Sequence, residues 1–153
     1  MATEKLIQDR YTSRPLAQAL HVVVDGQPVG KGRPRFSNGR AYTPMKTKNY
    51  EHLVGEAARL EMRFQGVDLT EQPVKLHIMA QFEIPKSWPK WKRQAALLGI
   101  YTPGRPDVDN VAKAVLDAFN GIVYKDDSQV YELTVKKIYG QPLMVATVSW
   151  ADD

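Results

Sequence analysis

The chain has 153 residues, a formal net charge of +4 and no cysteine, so one domain with an ordinary core is allowed and disulfides and thiolate metal sites are excluded. Its 43% hydrophobic and 25% charged residues belong to a globular chain, not a disordered one. No apolar run approaches the ~18 residues of a membrane span, and the N-terminus lacks a signal-peptide core.

Residues 1–19 show no clear period and read as an N-terminal arm or short helix, ahead of a single domain over 20–150. Leu20 to Asp25 (LHVVVD) is β-branched and predicts a buried strand. The glycine- and proline-rich segment after it predicts a loop. Thr43-Pro44 marks a helix start, Thr43 as N-cap and Pro44 as first helical residue. That helix should run to about Phe64, with Leu53, Ala57, Leu60 and Phe64 on its apolar face, and end at Gly66. Pro73 to Ile84 alternates, Val74, Leu76, Ile78, Ala80 and Phe82 on one side, as a half-buried strand does. Ser87 to Leu98 predicts a short helix, with Trp88 and Trp91 packing it on the sheet. Asp107 to Asn120 predicts a helix with a stripe of Val108, Val111, Ala112, Val115 and Phe119, closed by Gly121. Two strands, Gln129 to Tyr139 and Leu143 to Trp150, follow, joined by a tight turn at Gly140-Gln141-Pro142. The order β-α-β-α-α-β-β predicts an α/β (α+β) fold with helices packed on one mixed sheet.

Charge is segregated. Between Gly30 and Asn49 stand Lys31, Arg33, Arg35, Arg40, Lys46 and Lys48 without one acid, interleaved with Phe36 and Tyr42, a composition suited to phosphate contact and base stacking. Lys90, Lys92 and Arg93 can extend the same footprint. Residues 104–128, in contrast, hold five of the seventeen acids, Asp107, Asp109, Asp117, Asp126 and Asp127. Asp107 after Pro106 is placed to cap a helix, with Asp109 in its first turn. Asp109, Lys113 and Asp117 recur at intervals of four on one polar face, which is also the pattern of a solvated salt-bridged surface. A turn after Gly121 could bring Asp126-Asp127 back toward the helix start. Gathered carboxylates beside a lysine suit Mg²⁺ and phosphodiester hydrolysis: hard oxygens hold the ion, the ion activates water, and the lysine offsets developing charge.

An EF-hand loop is excluded because Val111 and Ala112 stand where a ligand and a glycine belong. No Walker-type phosphate loop is present, and His21, His52 and His77 lack metal-ligand spacing.

The ordered set PDVDNVAKAVLDAFNG-IVYKDDSQV resembles the signature of the RusA-type Holliday junction resolvases, phage- and prophage-associated endodeoxyribonucleases, and GRPRFSNGRAYTP resembles their basic N-terminal loop. The resemblance implies Asp107, Asp109 and Asp127 as Mg²⁺ ligands, with Mn²⁺ a possible substitute, and Lys113 as an essential active-site lysine. Asn110, Asp117 and Asp126 match the motif as supporting residues, Asp117 as a partner of Lys113. It further implies a homodimer, matched to the two-fold symmetry of a four-way DNA junction, working in the cytoplasm of a bacterial or phage-infected cell. A metal nuclease for other branched DNA, and a non-catalytic DNA-binding protein whose acids only cap a helix, are the competing expectations.

Overall fold

The computed structural model describes residues 16–151; most of the 1–19 arm lies outside the described residues, although Gln18 and Ala19 already belong to the first strand. The elements are β1 (Gln18–Asp25), a hairpin of β2 (Arg35–Ser37) and β3 (Arg40–Tyr42), α1 (Met45–Gln65), β4 (Val74–Phe82), α2 (Lys90–Leu97), α3 (Val108–Phe119), a 3₁₀ turn (Asp127–Gln129), β5 (Val130–Tyr139) and β6 (Leu143–Trp150). The fold is α+β, a four-stranded mixed sheet with helices on it.

The sheet order is β1-β6-β4-β5. β6 is therefore central, antiparallel to β1 (Gln18↔Trp150) and to β4 (Val74↔Trp150), while β5 runs parallel to β4 (Phe82↔Tyr139). The two last strands are joined by the short turn that the sequence predicts, but they are not neighbours in the sheet. The turn 140–142 instead carries the chain past the end of β4, where the Gly140 N–H donates to the Phe82 carbonyl at 2.9 Å and Gln81 Nε2 to the Gln141 carbonyl at 2.6 Å. β1 is likewise not wholly buried. As an edge strand it hides Leu20, Val22 and Val24 and leaves Val23 54% exposed.

The helices lie on the face that carries Leu20, Val22, Leu76, Ile78, Ala80, Met144, Ala146 and Val148. Each fully buried aliphatic side chain stabilises by ~1.5–3 kcal/mol, so this layer carries the fold. α1 packs through Tyr50, Val54, Ala58 and Met62, spaced four residues apart. Of the stripe expected to face the core only Ala57 packs against it; the rest points outward, with Leu53 51%, Leu60 63% and Phe64 88% exposed. α1 has two apolar stripes at helical spacing, and the buried one carries the small residues. A Cβ on Gly55 would lie 2.9 Å from Ile122 Cδ1 and 3.4 Å from the Ala118 carbonyl, so the helices approach closely there. The start is also displaced, with Pro44 rather than Thr43 at the N-cap position.

α3 matches its predicted span, with Asp107 at the N-cap position and Val111, Ala112, Val115 and Phe119 buried. Val108, counted in the apolar stripe, is 46% exposed. Within the basic segment, Asn38 and Gly39 both take positive φ, 52° and 74°. That is the geometry of a tight two-residue hairpin, so a stretch read as loop is partly β. Trp88 packs edge-on against Tyr139 of β5 as expected; Trp91 does not, and is 64% exposed.

Candidate active site

Pro106 breaks the chain before α3, so Asp107 enters the helix in extended conformation, φ −63° and ψ 152°. It occupies the N-cap position, yet its side chain accepts no capping hydrogen bond. The carboxylate stands in solvent at the positive end of the helix, uncommitted. Two residues on, Asp109 meets Lys113 of the next turn at 3.9 Å, both more than half exposed. Asp117 turns away from Lys113 and pairs with Lys31 at 2.9 Å.

The second acidic pair divides its work. The Asp126 carboxylate accepts from the Ser128 N–H at 3.1 Å, and the Asp126 N–H donates in turn to the Gln129 side-chain oxygen at 3.0 Å. That reciprocal cap fixes the turn, and the Ser128 hydrogen bond lowers the Asp126 pKa. Gln129 also donates to the carbonyls of Thr70 and Gln72 at 2.9 and 3.0 Å, tying the acidic turn to the segment before β4. The Asp127 carbonyl accepts from the Val130 N–H, but its carboxylate has no hydrogen-bond or ion-pair partner among the described residues. Beneath the pair, Tyr124 is fully buried and donates to the Leu116 carbonyl at 2.8 Å. Burial, then the charges of Asp127, Asp117 and Asp126, raises its pKa.

These acids do not converge within one chain. Among the described residues no three Asp, Glu or His side chains come together as a group able to hold a metal ion. Asp107 begins the twelve-residue α3, which is about 18 Å long, and Asp127 lies beyond its far end, at the start of β5. The turn after Gly121 does not carry the pair back to the helix start. The donors suit a hard cation all the same, because Asp107 and Asp127 are unpaired and Asp109 has one long contact.

Two further residues set the start of α3. Lys137 on β5 donates to the carbonyls of Gly104 and Pro106 at 3.0 and 2.9 Å. The Lys31 N–H donates to the Asn110 carbonyl at 2.8 Å, and Gly30 lies so close to Pro106 that an added Cβ would stand 2.6 Å from the Pro106 Cβ. The basic loop is thereby held directly against the start of the acidic helix.

Beside that junction opens a cleft of about 580 Å³ whose lining includes Arg33, Arg35, Lys46 and Arg105 and no acid. Arg40 projects from the exposed hairpin, and Lys48 lines a separate groove with Glu51, His52 and Asp117. Lys31, grouped by sequence with the DNA contacts, is engaged by Glu51 and Asp117.

Residues 25–148 match the family model described as endodeoxyribonuclease RusA. The chain belongs to the RusA endodeoxyribonuclease family. A relative of this RusA-family chain is the uncharacterized protein YqaN of Bacillus subtilis (strain 168), 38% identical over 125 residues, which cover 77% of this chain and 86% of that protein. Among the described residues, no helix is long and apolar enough to cross a membrane.

Sequence reasoning on the RusA-type motif missed Arg105, Lys137 and the structural part of Gln129. Arg105 could have been found as the one arginine inside the acidic block. Lys137 could not, since its partners are backbone carbonyls more than thirty residues away.

Proposed function

We propose that the chain is a Mg²⁺-dependent endodeoxyribonuclease that resolves four-way DNA junctions by paired symmetric cuts, as a cytoplasmic homodimer. The observation that carries this reading is the pair of exposed carboxylates at the start of α3, Asp107 and Asp109, next to a cleft of cations. A polyanion is held by the cleft, while the acids would repel it unless a cation stands between them. Mg²⁺ bound there supplies an activated water and stabilises phosphoryl charge; Mn²⁺ has the same preference for oxygen ligands. Asp107 and Asp109 hold one side of that site. Lys113, one turn on and exposed, offsets charge on the phosphate oxygens. Arg33, Arg35, Lys46 and Arg105 hold the flanking strand, and Arg40 and Lys48 extend its path. Asn110, Asp117 and Asp126 support the geometry, Asp117 through Lys31 rather than Lys113.

Because Asp127 lies at the opposite end of α3, the third carboxylate is supplied by Asp127 of the partner subunit. A two-fold dimer then carries two composite sites, which suits a two-fold substrate.

The deciding experiment is cleavage of a synthetic four-way junction beside linear duplex, with Mg²⁺ and with EDTA, by the wild type and Asp109→Asn. Paired symmetric nicks near the crossover that need Mg²⁺ and vanish in the variant support the reading. A junction bound but left whole in every condition overturns it in favour of a DNA-binding protein.

A further inference from the structure

Segment 85–106, between β4 and α3, carries Lys86, Lys90, Lys92, Arg93 and Arg105 and no acid. Its helix α2 is pinned through one aromatic cluster. Trp88 stands edge-on to Tyr139 at 5.3 Å and to Tyr101 at 5.8 Å, and Lys92 Nζ lies 4.0 Å from the Trp88 ring centre and 5.2 Å from that of Tyr101. Such cation–π contacts hold a lysine over a ring and fix the helix in place. The other side of α2 is bare. Trp91 is 64% exposed, Leu98 79% and Ile100 69%, and a separation of seven residues puts Trp91 and Leu98 on nearly the same side of the helix.

The ridge stands close to the acidic helix. Tyr139, on which Trp88 rests, ends β5, and Lys137 two residues earlier holds the backbone immediately before Asp107. Arg105 closes the segment and lines the basic cleft. An exposed indole among cations, continuous with a cationic cleft, is complementary to nucleic acid, and stacking on an aromatic ring accepts any base.

We propose that Trp91, backed by Leu98, stacks on an unstacked base at the branch point, while Lys90 and Arg93 hold the phosphates on either side. This rests on the branched-DNA reading above and adds the element that distinguishes branch from duplex. Bases inside a linear duplex are covered on both faces by their neighbours; a crossover presents base faces that are not.

Binding measured in EDTA separates this from cleavage. A four-way junction with 2-aminopurine at the crossover and a linear duplex of equal length are titrated with wild type, Trp91→Ala and Trp91→Phe. Trp91→Ala should weaken junction binding by about tenfold, leave duplex affinity within about twofold, and abolish the fluorescence change, with Trp91→Phe restoring most of both. Unchanged junction affinity in Trp91→Ala overturns the proposal, as does an equal loss on both DNAs. So does a fall from dimer to monomer in sedimentation, which would make the ridge a self-association surface. A wild type that never cuts the junction, beside a Trp91→Ala that loses junction binding alone, removes the nuclease reading and leaves this one standing. A cutting wild type with a Trp91→Ala of unchanged affinity does the reverse.

Discussion

Lys31 reaches from the basic loop to Asp117 on α3 at 2.9 Å, and the same ammonium lies 2.6 Å from Glu51 on α1. One side chain thus joins the loop to both helices beside the candidate site. Burial alone would lower the Lys31 pKa, but its hydrogen bonds to Glu51 and Asp117 and their charges outweigh that, and the net shift is upward from 10.5. A raised folded-state pKa means that this stabilisation is complete below the unfolded value and is lost as pH rises through the folded one.

Lys31→Met should therefore lower stability at pH 7 by about 1–2 kcal/mol, the lower part of the range for charged hydrogen bonds because Asp117 stays partly solvated. Urea denaturation at pH 7 and again above pH 10.5 measures this. The difference between variant and wild type should shrink at the higher pH, where the wild type loses the same charge.

A composite site makes a prediction that a site within one chain does not. Asp109→Asn and Asp127→Asn should each abolish junction cleavage. Mixed and refolded together, they should regain single-strand nicking, because each heterodimer then has one site with both wild-type acids and one with neither. Strand-resolved gels of a junction labelled on all arms distinguish this from acids that act within one chain, for which mixing restores nothing.

Lys113→Ala should leave the fold almost unchanged. Its contact with Asp109 is long and exposed, and a helical pair of this kind contributes only ~0.3–0.5 kcal/mol. Cleavage should nonetheless fall by at least a hundredfold, about 2.7 kcal/mol in the barrier, with junction affinity retained. Thermal melting beside single-turnover kinetics separates the two effects.

Asp126 and Asp127 should respond differently to the same change. Asp126→Asn keeps an acceptor for the Ser128 N–H and should retain cleavage; Asp127→Asn should not. The lowered Asp126 pKa means that its capping contribution is present above its ordinary range and is lost as pH falls through the lowered value. Wild type should accordingly show an acid-side loss of order in this turn that Asp126→Asn lacks, measured by amide exchange at Ser128.

Tyr50 tests the core independently. Its hydroxyl is buried without a hydrogen-bond partner among the described residues, and burial pushes its pKa up to about 12. Tyr50→Phe removes an unsatisfied group that costs ~1–3 kcal/mol, so the variant should melt at a higher temperature by differential scanning calorimetry.

What was legible in the sequence followed from local pattern. α3 has a dominant apolar stripe, a proline before it and a glycine after it, and its span was predictable. β4 alternates without interruption. α1 was only half legible, because Leu53-Leu60-Phe64 and Tyr50-Val54-Ala58-Met62 both satisfy a helical period, and only the close approach at Gly55 selects the second. The site was legible as chemistry but not as geometry. Spacing put Lys113 equally near Asp109 and Asp117, and a lysine from the distant loop took Asp117. The place of β6 was not legible either, since a short turn is compatible with a hairpin and with a crossing over β4.

That crossing bears on when the enzyme can come into being. β6 is the last described strand in the chain and one of the two inner strands of the sheet, and it is the strand that β1 pairs with. A growing polypeptide has no partner for β1 until Leu143 to Trp150 have left the ribosome. The acidic helix is made earlier, but the sheet that it rests on is not. A chain interrupted between β5 and β6 therefore leaves the strands that carry Leu20, Val22, Ile78 and Ala80 without the one that joins them, a target for proteolysis and not a nuclease set loose half made.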